Sequence, residues 1–199
     1  MTASSMENSR HSFLTRLFHM ALATAVIVQV LSSLLMTAPL EDRQEDWLFE
    51  VHEFSGITAL FLVAGFWLVV ALRRRGTPVA ILFPWFSATG RRALWEDLVD
   101  HWQHIKRLGL PDFRAESPLA CAVHGLGLLL VTAMAASGAL FFLAMILEAK
   151  TSLWATIDIE VHQVLANLVW AYLIGHAGLA VIQHHLKNMR LSEMWSLRK

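Results

Sequence analysis

The sequence predicts an all-α integral membrane protein, a four-helix bundle with a cytoplasmic loop that contains an amphipathic helix. Of its 199 residues, 56% are hydrophobic and only 16% are charged, whereas soluble domains are about 45–50% apolar and about 25% charged. Four mostly apolar stretches are long enough to cross a bilayer as helices, at 13–37, 51–72, 119–147 and 161–184. We expect residues 1–199 to form a single domain, with a long loop at 73–118.

The distribution of positive charge orients these spans. All of the 16 Lys and Arg residues except Arg43 and Lys150 lie near the N-terminus, in the long loop or in the C-terminal tail. Because Lys and Arg are enriched in cytoplasmic segments, both termini and the long loop should face the cytoplasm. We therefore expect a multi-pass membrane protein. The net charge of zero argues against a nucleic-acid binder.

The long loop contains one segment with helical periodicity. Between residues 91 and 108, apolar side chains recur at steps of three and four, at Leu94, Trp95, Leu98, Val99, Trp102, Ile105 and Leu108. This amphipathic helix either lies on the cytoplasmic membrane surface or packs against another cytoplasmic protein. The preceding apolar residues 77–86 are interrupted by Pro78 and Pro84, and they are too few to span a membrane.

Histidines are the ionisable residues that stand out inside the predicted spans, where such residues are costly and usually functional. His162 and His176 are 14 residues apart in the fourth span, so they project from nearly one face, ~21 Å apart along the axis. His52 begins the second span and is level with His162 at the outer end. His19 lies about 9 Å into the first span and is level with His176 at the cytoplasmic end. Two pairs follow, His52 with His162 and His19 with His176.

Facing imidazoles from two helices of a bundle are typical of bis-histidine haem ligation. Zinc usually takes three or four converging ligands, whereas these pairs lie near opposite leaflets, which favours haem. The one cysteine, Cys121, excludes a thiolate cluster. No motif for covalent haem attachment, phosphate binding or nucleophilic catalysis is present, so no catalytic residue is assigned. A transporter with pH-sensing histidines is the non-redox alternative.

Segments of all four spans resemble the bacterial four-helix, di-haem b-type cytochromes. This superfamily includes bacterial cytochrome b561 and the b-type cytochrome subunits of nickel–iron hydrogenases. The most specific resemblance is VHQVLANLVWAYLIGHAGLAVIQHH at 161–185, followed by VHEFSGITALFL at 51–62, TRLFHMAL at 15–22 and HGLGLLLVTAMAASG at 124–138. The resemblance implies two haem b groups whose iron is bound by His19, His52, His162 and His176.

The resemblance also implies electron transfer across the membrane between a redox protein partner, such as a soluble cytochrome, and quinone, either ubiquinone or menaquinone. Two alternatives are a membrane-anchor cytochrome b subunit of a hydrogenase or dehydrogenase complex and a stand-alone superoxide or quinone oxidoreductase. Whether the chain is an enzyme in its own right is therefore open. The long loop departs from the shortest members of the superfamily, which leaves the redox partner open too.

Four further residues are candidates for quinone or haem propionate contacts. His124 lies in the third span at about the depth of His19, so it could also replace His19 as a ligand or be a structural histidine. Arg16 is at the cytoplasmic boundary and could pair with a propionate. His184 and His185 end the fourth span and could line a quinone pocket or shuttle a proton, or simply reach the membrane surface.

Overall fold

The structure is a computed structural model that describes residues 11–39, 43–73, 76–107, 109, 111, 114, 116–186 and 192–195. Its elements are α1 (Phe13–Ser33), α2 (Trp47–Leu72), α3 (Val79–Leu82), a 3-10 turn (Pro84–Phe86), α4 (Ala88–Lys106), α5 (Pro118–Ile146), α6 (Leu153–His185) and α7 (Ser192–Trp195). The helices α1, α2, α5 and α6 are long and apolar enough to cross a membrane. The predicted all-α membrane bundle is confirmed.

Polar caps determine where the four long helices begin. Each begins after a residue whose side-chain oxygen accepts a hydrogen bond from a backbone N–H of the first turn: Ser12, Asp46, Ser117 and Ser152. These bonds satisfy N–H groups that a helix start otherwise leaves unpaired. Because of these caps, α2 begins four residues and α6 eight residues before the predicted spans at 51 and 161. Asp158 and Glu160 therefore lie within α6 rather than in a loop, and α1 ends at Ser33 rather than at 37.

Asp46 also closes the connection between α1 and α2. Its carboxylate accepts hydrogen bonds from the backbone N–H groups of Phe49, at 2.9 Å, and Thr37, at 3.0 Å. Loss of hydration raises the pKa of Asp46, but these hydrogen bonds outweigh it and hold the pKa below its ordinary value of 3.8. The charged carboxylate is thus the form that holds this connection closed.

The long helices pack in the order α1, α2, α5, α6. We call the end with the α1–α2 and α5–α6 connections the hairpin end, and the opposite end, which carries residues 76–117, the long-loop end. One apolar cluster joins α1, α2 and α5 through Leu22, Ala25, Ala59, Val63 and Leu128. Trp67 also donates a hydrogen bond of 2.9 Å from its indole to the Thr132 hydroxyl, which links α2 to α5.

Part of the long loop folds back onto the bundle. The backbone carbonyl of Leu82 lies so near α5 that a Cβ added at Gly125 would be 2.0 Å from its oxygen, which requires glycine there. Phe83 stacks on Trp67 with ring centroids 5.8 Å apart. The proline-interrupted segment is therefore packed against α2 and α5, in agreement with the prediction that it does not span the membrane.

The amphipathic helix α4 is attached to the bundle by its polar side. The buried Asp97 carboxylate accepts a hydrogen bond of 2.9 Å from the Leu119 N–H at the start of α5 and lies 3.6 Å from the Arg114 guanidinium. The side chains of Trp95 and Trp102 are 68% and 58% exposed. The helix runs from Ala88 to Lys106 rather than from 91 to 108, and Leu108 lies outside the described residues.

Candidate functional site

The structure brings His52 and His162 together at the hairpin end. Their ring centroids are 6.4 Å apart, and the ring planes are inclined by 82°. Both side chains are partly buried. Because α2 and α6 begin earlier than the hydropathy pattern predicts, each histidine lies more than one turn inside its helix rather than at its first residues.

A serine on the neighbouring helix contacts each of these two rings. Ser32 Oγ on α1 lies 3.0 Å from His52 Nδ1, and Ser137 Oγ on α5 lies 2.8 Å from His162 Nδ1. Neither serine is among the residues predicted from the sequence. The available signal was a hydroxyl side chain within an otherwise apolar span, on the helix that immediately precedes each histidine in the chain.

Two further residues shape the hairpin-end site. The Gln29 side-chain amide donates hydrogen bonds to the His52 carbonyl and to the Ser55 hydroxyl, so α1 also holds the backbone of α2 at the histidine. A Cβ added at Gly138 would lie 3.2 Å from Cε1 of His162. Glycine at this position therefore leaves the space that the imidazole occupies.

Three histidines lie near one another at the long-loop end, where the sequence predicted a single pair. The rings of His124 and His176 meet edge to face with centroids 5.5 Å apart. His19 also lies within electrostatic range of His176. The Nδ1 atom of His19 is buried and has no hydrogen-bond partner among the described residues, whereas the His124 side chain is exposed. Both remain candidate partners of His176.

Aromatic side chains complete the surroundings of this histidine group. Tyr172, the single tyrosine of the chain, stacks on His176 with centroids 5.3 Å apart and planes inclined by 10°. Trp195 of α7 meets His19 edge to face at 6.1 Å. Tyr172 and His176 are four residues apart on α6, so helical spacing was the available signal for their contact. The contact of Trp195, which the sequence indicated only as an interfacial aromatic, depends on how α7 packs against α1.

The other candidates from the sequence occupy two different environments. Arg16 is 3% exposed and lies on α1, three residues before His19. His184 and His185 are exposed in the last turn of α6, with their ring centroids 5.9 Å apart. Only Arg16 is therefore buried in the bundle beside the long-loop-end histidines.

An apolar layer separates the two histidine groups. Val169 lies midway between His162 and His176 on α6, and it belongs to a buried cluster with Val30 and Leu130. The bundle thus carries imidazoles near both ends and apolar side chains between them. Such an arrangement can hold two separate ligands at different depths, insulated from one another by the core.

The comparison with protein families agrees with this geometry. A family model described as prokaryotic cytochrome b561 matches residues 10–197. Searches among curated proteins and among solved structures gave no match. The family consists of membrane cytochromes b that act in electron transfer, and membership implies haem b binding, a lipid environment and redox partners. Because nearly the whole chain is matched, this protein belongs to the prokaryotic cytochrome b561 family.

Proposed function

We propose that this protein carries electrons across a bacterial inner membrane, between a redox protein partner and quinone, by way of two b haems. The supporting observation is that histidines from different helices meet near both ends of one bundle, with an apolar layer between them. A bound haem supplies one-electron redox chemistry at its iron. The chain holds, spaces and insulates the redox groups.

His52 and His162 would hold one haem at the hairpin end. Their ring centroids are 6.4 Å apart, which would leave room for a metal ion between the two imidazoles. The serine contacts occupy Nδ1 of both rings, and Nε2 is thereby left for the metal.

His19 and His176 would hold the second haem at the long-loop end. The buried Nδ1 atom of His19, which has no hydrogen-bond partner among the described residues, supports a ligand role for this imidazole. His124 is the alternative partner because its ring touches that of His176. The buried Arg16 would pair with a haem propionate.

Quinone would bind near the same end of the bundle. His124, His184 and His185 are the residues we propose for contacts with quinone, either ubiquinone or menaquinone, or with a propionate. We further propose that the long-loop end and both termini face the cytoplasm, because basic residues outnumber acidic ones in those segments. Residues 1–199 would act as one domain.

The decisive experiment is to quantify haem per purified chain and to record a reduced-minus-oxidised spectrum. We expect two haems and a b-type α band, and a chain without that band would refute the proposal. His162→Ala should remove only the hairpin-end haem, and His176→Ala only the other. His104→Ala, in α4 and outside both histidine groups, is the matched control and should retain both haems.

The second ligand at the long-loop end is decided by two variants. If His19 is the ligand, His19→Ala should lose one haem and His124→Ala should keep both. The reverse result would assign the ligand role to His124. Reoxidation of the reduced protein by added ubiquinone or menaquinone analogues then tests the quinone step separately from haem binding.

A further inference from the structure

We infer that Ser32 and Ser137 are positioning residues that fix the tautomer of the two hairpin-end histidines and lower the redox potential of the haem these histidines bind. The inference rests on the proposed haem site and deepens it. It starts from a repeated arrangement, in which each histidine faces a serine from the preceding long helix of the chain. Ser32 lies on α1 opposite His52 of α2, and Ser137 lies on α5 opposite His162 of α6.

The hydrogen bonds of the serines determine which histidine nitrogen carries the proton. Ser32 donates its hydroxyl hydrogen to the Gln29 carbonyl, and Ser137 donates its own to the Met134 carbonyl, both at 3.1 Å. A hydroxyl has one hydrogen, and a carbonyl oxygen can only accept. Both contacts of each serine are therefore satisfied together only if the histidine Nδ1–H donates to Oγ. The neutral ring then presents the lone pair of Nε2, the form that binds a metal.

The same hydrogen bonds affect the electronic properties of the ligand. An imidazole that donates its second N–H to an acceptor is oriented and becomes a more basic ligand. A more basic ligand stabilises ferric over ferrous iron and so lowers the reduction potential. We therefore expect both serine contacts to lower the potential of the hairpin-end haem.

The chain offers a matched control beside Ser32. Ser33 donates its hydroxyl to the Val30 carbonyl at 2.8 Å, so it makes the same kind of bond to its own helix. Among the described residues, no histidine is hydrogen-bonded to Ser33. Ser33→Ala therefore removes a hydroxyl and a backbone hydrogen bond from the same turn of α1 without touching a proposed haem ligand.

The test is a redox titration of purified protein in the His176→Ala background, which retains only the hairpin-end haem. Ser32→Ala and Ser137→Ala should each shift the midpoint potential of that haem to more positive values, and the double substitution should shift it further. Haem loss to an acceptor protein should become about 10-fold faster or more. Ser137→Thr, which keeps the hydroxyl, should restore both properties, and Ser33→Ala should change neither.

Several outcomes would overturn the inference and leave the haem proposal intact. These are an unchanged potential in both serine variants, a shift of equal size in Ser33→Ala, or failure of Ser137→Thr to restore the potential. If Ser32→Ala does not fold, Ser32→Cys keeps the volume with a weaker acceptor and should give a smaller positive shift. A wild-type chain without haem would instead refute the proposed function itself.

A separate observation, on the surface of α4, supports a second inference. Apolar side chains on one face of this helix are exposed, namely Trp95, Leu98, Val99, Trp102 and Ile105. The polar face is the one that packs on α5, through Asp97 and the Leu119 N–H. That bond places α4 at the very start of a membrane-spanning helix, at the level where hydrocarbon meets headgroups.

We propose that this apolar face of α4 lies in the headgroup region of the adjacent leaflet and that anionic lipids are its partner. At 100° per residue, Arg91 falls on the apolar face between Leu98 and Trp102, and Lys106 falls between Trp95 and Val99. Lys106 lies over the Trp102 ring at 5.3 Å. Basic residues and tryptophans around an apolar stripe are typical of helices that lie in a membrane interface.

Spin labels in vesicles of phosphatidylglycerol and phosphatidylethanolamine test this placement. In a Cys121→Ala background, a label at Leu98→Cys should be more accessible to oxygen than to a water-soluble nickel chelate. A label at Glu96→Cys, on the opposite side of α4, should show the reverse. Equal water accessibility at both positions would overturn the proposal, as would protection of Leu98→Cys only after a soluble protein is added.

Discussion

Gly127 on α5 provides a sharp test of how the long-loop-end site is built. A Cβ added there would lie 2.1 Å from Oη and 2.3 Å from Cζ of Tyr172. Because ordinary contacts begin at 3.4 Å, the tyrosine ring would have to withdraw by more than 1 Å. Tyr172 stacks on His176 at 5.3 Å, so Gly127→Ala should disturb this histidine without touching it directly.

The size of the effect follows from two opposing terms. Overpacking of a well-filled interior costs about 1–3 kcal/mol, whereas alanine is favoured over glycine inside a helix by about 1 kcal/mol. Gly127→Ala should therefore lower the free energy of unfolding by up to about 2 kcal/mol. At Gly175, one residue before His176, an added Cβ meets nothing within 4 Å. Gly175→Ala should stabilise the protein by about 0.5–1 kcal/mol.

The assay combines thermal unfolding in detergent with haem content and redox titration. In Gly127→Ala we expect a lower midpoint of unfolding and weaker retention of the long-loop-end haem, with the hairpin-end haem unchanged. Gly175→Ala is the control for substitution of glycine in a membrane helix. Two results would refute this reasoning. They are equal unfolding midpoints for the two variants, and equal weakening of both haems in Gly127→Ala. Either result would mean that the contact between Gly127 and Tyr172 does not hold His176 in place.

Three further predictions concern the contacts that hold the bundle together. The pKa of Asp46 is lowered in the folded state, so the contribution of this carboxylate to stability is complete above its unfolded pKa and is lost as the pH falls through the folded pKa. In acid unfolding curves, Asp46→Asn should therefore lose less stability than the wild type below about pH 5. Asp97→Ala leaves the Leu119 N–H without its acceptor and should cost about 1–3 kcal/mol by thermal unfolding, whereas Asp97→Asn should recover much of this. The hydrogen bond from Trp67 to Thr132 should contribute a coupling energy of about 0.6 kcal/mol. A double-mutant cycle with Trp67→Phe and Thr132→Val measures this coupling energy, and a value of zero would contradict that contact.

The sequence was most informative about properties that repeat along a helix. Apolar length identifies the four spans, and the 14-residue spacing of His162 and His176 places two imidazoles on one face of α6. The contact between His52 and His162 could be anticipated from depth alone, because each comes early in a helix at the same end of the bundle.

The contacts between helices could not be read from the sequence in the same way. A span that faces lipid on most sides is apolar all round, so its hydropathy does not indicate which side faces the neighbouring helices. The rotation of α5 about its axis decides whether His124 or His19 lies nearer His176, and it also brings Ser137 to His162. Helix starts were misplaced at Trp47 and Leu153 because the caps, Asp46 and Ser152, lie outside the apolar runs.

The apolar layer at Val169 has a consequence for the energetics of the membrane. An electron that passed between the two histidine groups would travel ~21 Å along the bundle axis, about two thirds of the ~30 Å hydrocarbon core, past the apolar side chains of Val30, Leu130 and Val169. Such a transfer is electrogenic. A membrane potential of 100 mV changes the energy of one elementary charge that crosses the membrane by about 2.3 kcal/mol. For an electron that crosses about two thirds of the core, the change would be about 1.6 kcal/mol, so the membrane potential would shift the redox equilibrium between the two sites.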